Sequence, residues 1–249
     1  MSRAAVFGAF LGTLALTLPA AAQTQQRTPT SPPRLAAPVQ PQQPAQQQAP
    51  AVVNNPFAAL FGKVGETTAL NPEQRAIIDK ISNYLSSTQV LTGNFVQVGP
   101  DGKRTQGEFY VQKPGKIRFE YDPPTPIDII SDGQSVVVRD RNLATQDLYP
   151  LSQTPLRFLL ADHINLLKDT NLIAVYADDV FVTAVIEERQ AIGGTSRLMM
   201  MFSAKDMQLK QWTVTDPQGY DTTVAVYNLD TTKKPDPGMF KIDYTRNIQ

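Results

Sequence analysis

The chain has 249 residues and carries 23 basic and 23 acidic side chains, so it has no positive excess that would attract a phosphate backbone. This balance argues against nucleic-acid binding. The sequence also has no cysteine, which excludes disulfides, thiol nucleophiles, thiolate metal sites and a lipid attached to a cysteine behind a signal peptide.

The first 22 residues have the three parts of a secretory signal peptide. Arg3 gives a positive start, residues 4–18 form an almost unbroken apolar run, and Pro19–Ala22 ends in small residues. The apolar run is shorter than the roughly 20 residues that span a bilayer. We therefore expect an exported chain that is cleaved after Ala22 and is then soluble, in preference to a retained membrane anchor.

Residues 23–56 are rich in Gln, Pro and Ala. Such a segment has too little apolar surface to offset the entropy lost on ordering. We expect a disordered tether, which serves either as a spacer or as a means of reaching or docking to another protein. Residues 57–249 are long enough for one domain and are predicted to form it.

One amphipathic helix is predicted over residues 72–86. Asn71 and Pro72 supply an N-cap and a proline at the first helical position, and Gln74 lies three residues after the cap. Apolar side chains then recur at helical spacing, at Ile77, Ile78, Ile81, Tyr84 and Leu85.

The apolar period then changes to two, which indicates strands. Candidate strands fall at residues 89–98, 104–113, 116–121, 127–131, 135–140, 144–149, 171–177, 180–188, 196–203, 208–216 and 221–229, with a short one near 240–244. Thr154 and Pro155 are expected to cap a helix over 156–161, and a second short helix is expected near 164–167. So many short antiparallel strands without crossover helices predict an α+β, β-rich fold with one strongly curved sheet or barrel.

Candidate catalytic residues are few. His163 is the one histidine of the chain, and we expect it to be structural or solvent-facing. The pairs Asp178–Asp179 and Glu187–Glu188 are expected to mark the solvated ends of one strand, although paired glycosidase carboxylates stay open as an alternative. The sequence has no motif for a nucleophile, metal or dinucleotide. We therefore expect a protein that is not an enzyme and that uses no cofactor or metal.

Two neighbouring strands each present an apolar face by alternation. On one strand the residues that share this face are Ile117, Phe119 and Tyr121. On the other they are Phe109, Val111 and Lys113. A lysine is unusual on such a face, although at a strand end it can snorkel to water. Residues 198–202 are apolar on both faces, and their methionines suit either mobile hydrocarbon or ordinary core packing.

These strands resemble a known family. Residues 93–97 read GNFVQ and residues 107–121 read GEFYVQKPGKIRFEY, similar to a family pattern of F-x-Q followed by G-x-F/L-x-x-x-R-P-G-K-F-R-W-x-Y. The similarity continues through Pro124, Ile130–Gly133, Thr154–Leu156, Leu159–Leu160, Asp216–Gly219 and Phe240–Ile242. Over residues 89–244 the chain thus resembles the LolA family of periplasmic lipoprotein carriers.

The resemblance implies an unclosed antiparallel β-barrel with a helical lid over an apolar cavity. In the family, this cavity receives acyl chains of lipoproteins from an inner-membrane ATP-binding-cassette lipoprotein-releasing complex and delivers them to an outer-membrane acceptor. The implied protein is a periplasmic carrier of acylated lipoproteins, expected to be a monomer. The alternatives are a lipid or lipoprotein sensor in envelope signalling, a carrier of a lipid that is not linked to protein, and a structural envelope protein with a filled interior.

The resemblance also implies site residues. Leu156 and Leu160 match the lid, and Lys113 stands where the family has an arginine that holds the lid shut. We expect Lys113 to donate to carbonyls near residues 154–160, with fewer simultaneous bonds than arginine would make. The residues that match the cavity are Phe95, Phe109, Val111, Ile117, Phe119 and Tyr121. To these we add Met200, Phe202 and Trp212 as candidate lining residues.

Overall fold

The computed structural model describes residues 70–190 and 194–245. The predicted signal peptide and tether lie outside the described residues, and the boundaries of the domain remain predictions. Helix α1, Pro72–Ser87, begins with the predicted capping box, in which Asn71 and Gln74 each bond the other's backbone amide. Two further short helices are α2, Leu156–Leu159, and α3, Leu166–Asp169.

The eleven strands predicted between residues 89 and 229 are all present, with ends that differ by two residues or fewer. Their bounds are β1 Val90–Val98, β2 Arg104–Gln112, β3 Lys116–Tyr121, β4 Ile127–Asp132, β5 Ser135–Asp140, β6 Thr145–Pro150, β7 Leu172–Ala177, β8 Phe181–Gln190, β9 Gly194–Ser203, β10 Leu209–Thr215 and β11 Asp221–Asp230.

All eleven strands pair antiparallel in one sheet, in the order β6-β5-β4-β3-β2-β1-β11-β10-β9-β8-β7. Each strand therefore pairs with its sequence neighbour except at the centre, where β1 pairs with β11. The two outermost strands, β6 and β7, remain edges, so the sheet does not close. The prediction of a β-rich, unclosed antiparallel barrel is confirmed.

Three local predictions were wrong. Residues 240–244 do not form a strand: a 3₁₀ helix covers Pro237–Phe240, because Asp236 accepts the Gly238 amide and the proline starts the turn. Thr154 does not cap α2, because its hydroxyl donates to the carbonyl of Leu151. The pair Glu187–Glu188 is not at a strand end, since β8 continues past it.

The core lies between the helices and one face of the sheet, called here the inner face. Alternation along β3 buries Ile117, Phe119 and Tyr121, as predicted. On β9 the same alternation buries Leu198, Met200 and Phe202, whereas the two intervening methionines are only half-buried. The second face of β9 is thus less covered than its apolar sequence indicated.

Helix α1 is held against this core by its apolar side and by two serines in its C-terminal half. Its apolar side contributes fully buried Ile78 and Ile81. The hydroxyl of Ser82 accepts a hydrogen bond from the amide of Leu166, at the start of α3, at 3.1 Å. Ser86 accepts from the amide of Ile164 at 3.1 Å. Two serines on one helical side therefore tie α1 to residues 164–166.

Candidate functional site

A small apolar cavity lies between the C-terminal end of α1, helix α2 and the inner face of the sheet. Its volume is about 30 Å³, enough for roughly two or three water-sized groups, since each needs about 10–15 Å³ of such space. Its lining residues are Tyr84, Leu85, Thr88, Leu91, Phe109, Val111, Lys113, Ile117, Leu159, Leu160, Leu209 and Trp212. Most of these side chains are hydrocarbon or aromatic, so the cavity suits an apolar group.

Six of the residues predicted for the site line this cavity. Phe109 and Val111 come from β2, Ile117 from β3 and Trp212 from β10, while Lys113 and Leu160 come from the segments that follow β2 and α2. The pairing of Val111 with Ile117 places both side chains on the inner face. The sheet therefore brings together residues that are about 100 positions apart in sequence.

The other predicted residues are buried next to the cavity without lining it. Phe95 lies edge-on to Phe119 and Tyr121, with ring centroids 5.0 Å apart in each pair. Phe119 also packs on Phe109 at 6.0 Å and on Trp212 at 6.3 Å. These rings fill the space next to the cavity, and Phe119 packs against two residues that line it, Phe109 and Trp212. Met200, Phe202 and Leu156 are likewise buried outside the lining.

Half of the lining residues were not predicted from the sequence. Tyr84, Leu85 and Thr88 belong to the end of α1 and the residue after it, and their signal was the apolar stripe of that helix. The remaining missed residues are Leu91, Leu159 and Leu209. The stripe identified a helical side that must be buried, but it did not indicate which strands that side would cover.

Lys113 has a different partner from the one expected. Its ammonium donates to the carbonyl oxygen of Leu85, in the last turn of α1, and not to residues 154–160. The last carbonyls of a helix lack partners within the helix and carry partial negative charge. The last turn of α1 contains no basic residue of its own, so Lys113 supplies that charge from the sheet. Lys113 thus joins the end of β2 to α1.

This lysine is buried, with 9% of its surface exposed. Burial lowers the pKa of Lys113 to about 8, and the nearby Asp162 carboxylate partly offsets the effect by attraction. The snorkelling alternative does not describe this environment, because the side chain lines the cavity. The site is therefore apolar with one buried cationic group.

Residues 156–169, called here the lid segment, are joined to the sheet by two polar contacts. The amide of Gly115, in the turn after β2, donates to the carbonyl of Leu160 at 2.9 Å. This carbonyl is thus occupied by a backbone donor instead of by Lys113. On the other side, Arg157 bonds the carboxylate of Glu188 at 2.6 Å. These contacts hold residues 157–160, of which Leu159 and Leu160 line the cavity, against the sheet.

The residues considered for chemistry are dispersed. The side chain of His163 is 81% exposed and lies 3.5 Å from Asp162. Asp178 and Asp179 are exposed in the turn between β7 and β8, whereas Glu187 pairs with Arg197 on the neighbouring strand. Within residues 70–190 and 194–245, no group of three or more His, Cys, Asp or Glu side chains is placed to hold a metal ion.

The sequence profile of the family described as outer membrane lipoprotein carrier protein LolA matches residues 86–243. The chain belongs to the LolA family. The match begins at the end of α1 and continues past β11, so it includes the eleven strands and the lid segment. The resemblance predicted from residues 89–244 is confirmed.

Several named relatives are outer-membrane lipoprotein carrier proteins. The protein of Methylobacillus flagellatus is 23% identical over 160 residues, which cover 61% of this chain and 77% of that protein. The protein of Pseudomonas paraeruginosa is 23% identical over 71% of this chain and 88% of its own length. A Neisseria meningitidis serogroup B relative is 31% identical, but the match spans only 39% of that protein and 31% of this chain.

Solved structures with a similar fold include a LolA superfamily protein from Nitrosomonas europaea. It is 13% identical, with a TM-score of 0.40 over 68% of this chain and 98% of that one. MucB is also 13% identical, with a TM-score of 0.37 over 70% of this chain and 65% of that one.

Among the helices in the described part of this chain, none is long and apolar enough to span a membrane.

Proposed function

We propose that this protein is a periplasmic carrier that binds acyl chains of lipoproteins released from the inner membrane and delivers them to the outer membrane. The observation that carries the proposal is the cavity between α1, α2 and the sheet, whose lining is almost wholly apolar. Family membership supports the same function. The proposal includes no catalytic step, and its location rests on the predicted signal peptide.

The energetics of acyl chains support a protein of this kind. Each methylene exposed to water costs about 0.8 kcal/mol relative to an apolar environment. A lipoprotein with several acyl chains would therefore not stay dissolved between two membranes without a cover. An apolar cavity is about as favourable for these chains as the bilayer, so loading requires an energy-supplying partner, which we propose is the ATP-binding-cassette releasing complex.

The size of the cavity requires movement during loading. A space of about 30 Å³ holds only a few water-sized groups and not an acyl chain. We propose that the lid segment moves away from the sheet and that α1 moves with it, because Ser82 and Ser86 bind the two together. Closing would then oppose cargo binding, which favours release to an outer-membrane acceptor.

Mass spectrometry of the protein isolated from the periplasm tests this function. We expect the mature chain to co-purify, as a monomer, with covalently acylated lipoproteins in sub-stoichiometric amounts. Free phospholipid as the main ligand would instead favour a carrier of non-protein lipid. Lipoprotein retained in a stable complex with a signalling protein would favour a sensor, and an interior with no exchangeable ligand would favour a structural role.

A further inference from the structure

The two edges of the sheet differ in how well they are protected from pairing with another chain. Strands β6 and β7 each pair on one side only, and within residues 70–190 and 194–245 no strand pairs with their other sides. A free edge offers unpaired backbone groups to other strands. Natural proteins protect such edges with charged side chains, proline or bulges, so the two edges can be compared residue by residue.

Edge strand β6 has two of these protections. The Leu151 amide donates to the Gln134 carbonyl. Because such bonds alternate along an antiparallel pair, Leu148 and Pro150 direct their backbone groups away from β5. Pro150 has no N–H to offer at this edge, and the exposed Asp147 adds a charge. Strand β6 is thus poorly suited to pairing with another chain.

Edge strand β7 has neither of them. Residues 172–177 read LIAVYA, without a charged residue or a proline. The Asp178 amide donates to the Phe181 carbonyl. By the same alternation, Val175 and Ala177 direct their backbone N–H and C=O groups away from β8. The β7 edge therefore presents donors and acceptors at two alternate residues.

These outward groups are largely available. The Gln74 side chain lies 3.4 Å from the Val175 carbonyl oxygen, but a carbonyl can accept two hydrogen bonds. No hydrogen bond from another described residue reaches the outward groups of Ala177. A bulge between Leu172 and Ala174 limits the regular edge to residues 174–178. So short an edge suits weak, reversible pairing.

The side chains next to the β7 edge are apolar. Ala174 and Tyr176 are half-buried. Val180 and Phe181, in and after the turn that follows β7, are 60% and 37% exposed. An added strand would therefore find apolar contacts for its own side chains, which lie on alternate faces.

The charge differs between the two ends of β7. Asp178 and Asp179 follow the strand directly, and both are exposed. Lys168 and Asp169, at the end of α3, come before the strand and balance each other in charge. An added strand with a basic residue at the acidic end would be favoured, because opposite charges across an interface attract.

We propose that the β7 edge binds an extended peptide segment of a partner protein by strand addition. Val175 and Ala177 supply the main-chain hydrogen bonds, as in other exposed edges that add a strand. The segment is apolar at alternate positions and has a basic residue next to Asp178 and Asp179. The inference goes beyond the proposed function and does not depend on it, because no residue of β7 lines the cavity.

Fluorescence anisotropy with labelled synthetic peptides tests this inference. The probe has alternating valine and threonine between two terminal lysines, so that either strand direction places a lysine at the acidic end. In one control peptide glutamate replaces both lysines. In a second control peptide proline replaces the central threonine, which removes a backbone donor.

Three protein variants complete the test. Ala177→Pro removes an outward N–H, whereas its matched control Ala177→Ser keeps it. Asp179→Lys reverses a charge in the exposed turn and leaves the backbone of β7 unchanged. Asp178 is retained, since its carboxylate accepts the amides of Val180 and Phe181 and shapes the turn.

We expect the lysine peptide to bind the wild-type protein more tightly than either control peptide. Ala177→Pro should weaken this binding by about 5-fold, as the loss of one hydrogen bond predicts, and Ala177→Ser should leave it nearly unchanged. Asp179→Lys should reduce the preference for lysine over glutamate. Equal binding of the lysine and proline peptides, or no saturable binding of the lysine peptide up to about 1 mM, would overturn the inference.

Hydrogen exchange measured by NMR shows whether the peptide pairs with this edge. At saturating peptide, the amides of Val175 and Ala177 should exchange at least about 5-fold more slowly. The amides of Ala174 and Tyr176 already point towards β8 and should change little. Bound peptide without protection at Val175 and Ala177 would contradict strand addition. Self-association of the wild type that Ala177→Pro abolishes would assign the edge to a second copy and would also overturn the inference.

Discussion

The guanidinium of Arg157, on α2, lies 2.6 Å from the carboxylate of Glu188, on β8. This pair joins the lid segment to a strand near the β7 edge of the sheet, and the Arg157 guanidinium also lies 4.1 Å from the ring centroid of Phe158. The side chain of Glu188 is only 18% exposed, so its environment strengthens the interaction relative to a fully solvated pair. The contact therefore restrains the lid segment.

Replacing Arg157 with Met should loosen the lid segment. We expect the free energy of unfolding to fall by about 0.5–1 kcal/mol and the Leu160 amide, bonded to Leu156, to exchange its hydrogen faster. The matched control is Arg197→Met, which removes the 3.6 Å pair with Glu187 inside the sheet. Hydrogen exchange with mass spectrometry measures the difference, and equal exchange in the two variants would refute a lid-restraining role.

Lys113 should make stability depend on pH in the alkaline range. Its pKa is about 8 in the folded protein against an ordinary 10.5, so between these values the unfolded chain binds more protons and the free energy of unfolding rises with pH. Below about pH 8 both states are protonated, and the burial cost is constant. The shift corresponds to about 3 kcal/mol in total.

The comparison is between the wild-type protein and Lys113→Met, since all other titrating groups are shared. Urea unfolding near pH 7 and near pH 10 should show that the wild type gains about 2 kcal/mol relative to the variant on going to the higher pH. A stability difference that does not change with pH would mean that Lys113 is solvated and not part of the cavity.

A polar group in the cavity should block ligand binding selectively. Ile117→Gln places an amide in the lining, whereas Ile130→Gln makes the same change at a buried position of β4 outside the lining. Both should destabilise the fold by about 2–4 kcal/mol. Only Ile117→Gln should also weaken dodecanoate binding strongly in the fraction that remains folded, as titration calorimetry can measure. Equal weakening by both variants would place the ligand elsewhere.

The turn at Gly115 should be sensitive to a side chain. Gly115 and Gly102 both have φ of +75°, but an added Cβ at Gly115 would lie 2.6 Å from the Gly133 Cα, whereas at Gly102 it would meet nothing within 4 Å. We expect Gly102→Ala to cost about 1 kcal/mol and Gly115→Ala about 3 kcal/mol. Thermal or urea unfolding measures both costs, and similar values would show that the turn adapts easily.

The sequence predicted the eleven strands and α1 because period-two alternation, turn residues and a capping box are local signals. It also indicated which side chains share the inner face. It did not indicate the partner of Lys113, because the contact with Leu85 joins residues 28 positions apart and depends on where α1 crosses the sheet. Half of the lining residues were not predicted for the same reason. The alternation of residues along a strand shows on which face of the sheet a side chain lies, but not which part of that face a helix covers.

The error at residues 240–244 has a similar origin. Apolar Phe240 and Ile242 alternate with lysine and aspartate, which is typical of a strand. Pro237 and the hydrogen bond that the Asp236 side chain accepts from the Gly238 amide instead form a 3₁₀ turn that buries Phe240. Arg118 of β3 also donates to the Met239 carbonyl at 3.1 Å. Several tertiary contacts and a local cap thus outweigh a short alternating pattern.

Site-specific photo-crosslinking in cells tests whether the cavity holds acyl chains of lipoproteins. Tyr84 lines the cavity, whereas Tyr227 on β11 is 46% exposed and lies outside the lining. Each is replaced, in separate proteins, by the photoreactive analogue p-benzoylphenylalanine. We expect covalent adducts with acylated lipoproteins from position 84 and few or none from position 227. An absence of lipoprotein adducts at position 84, or equal yields at both positions, would contradict a carrier that holds acyl chains in this cavity.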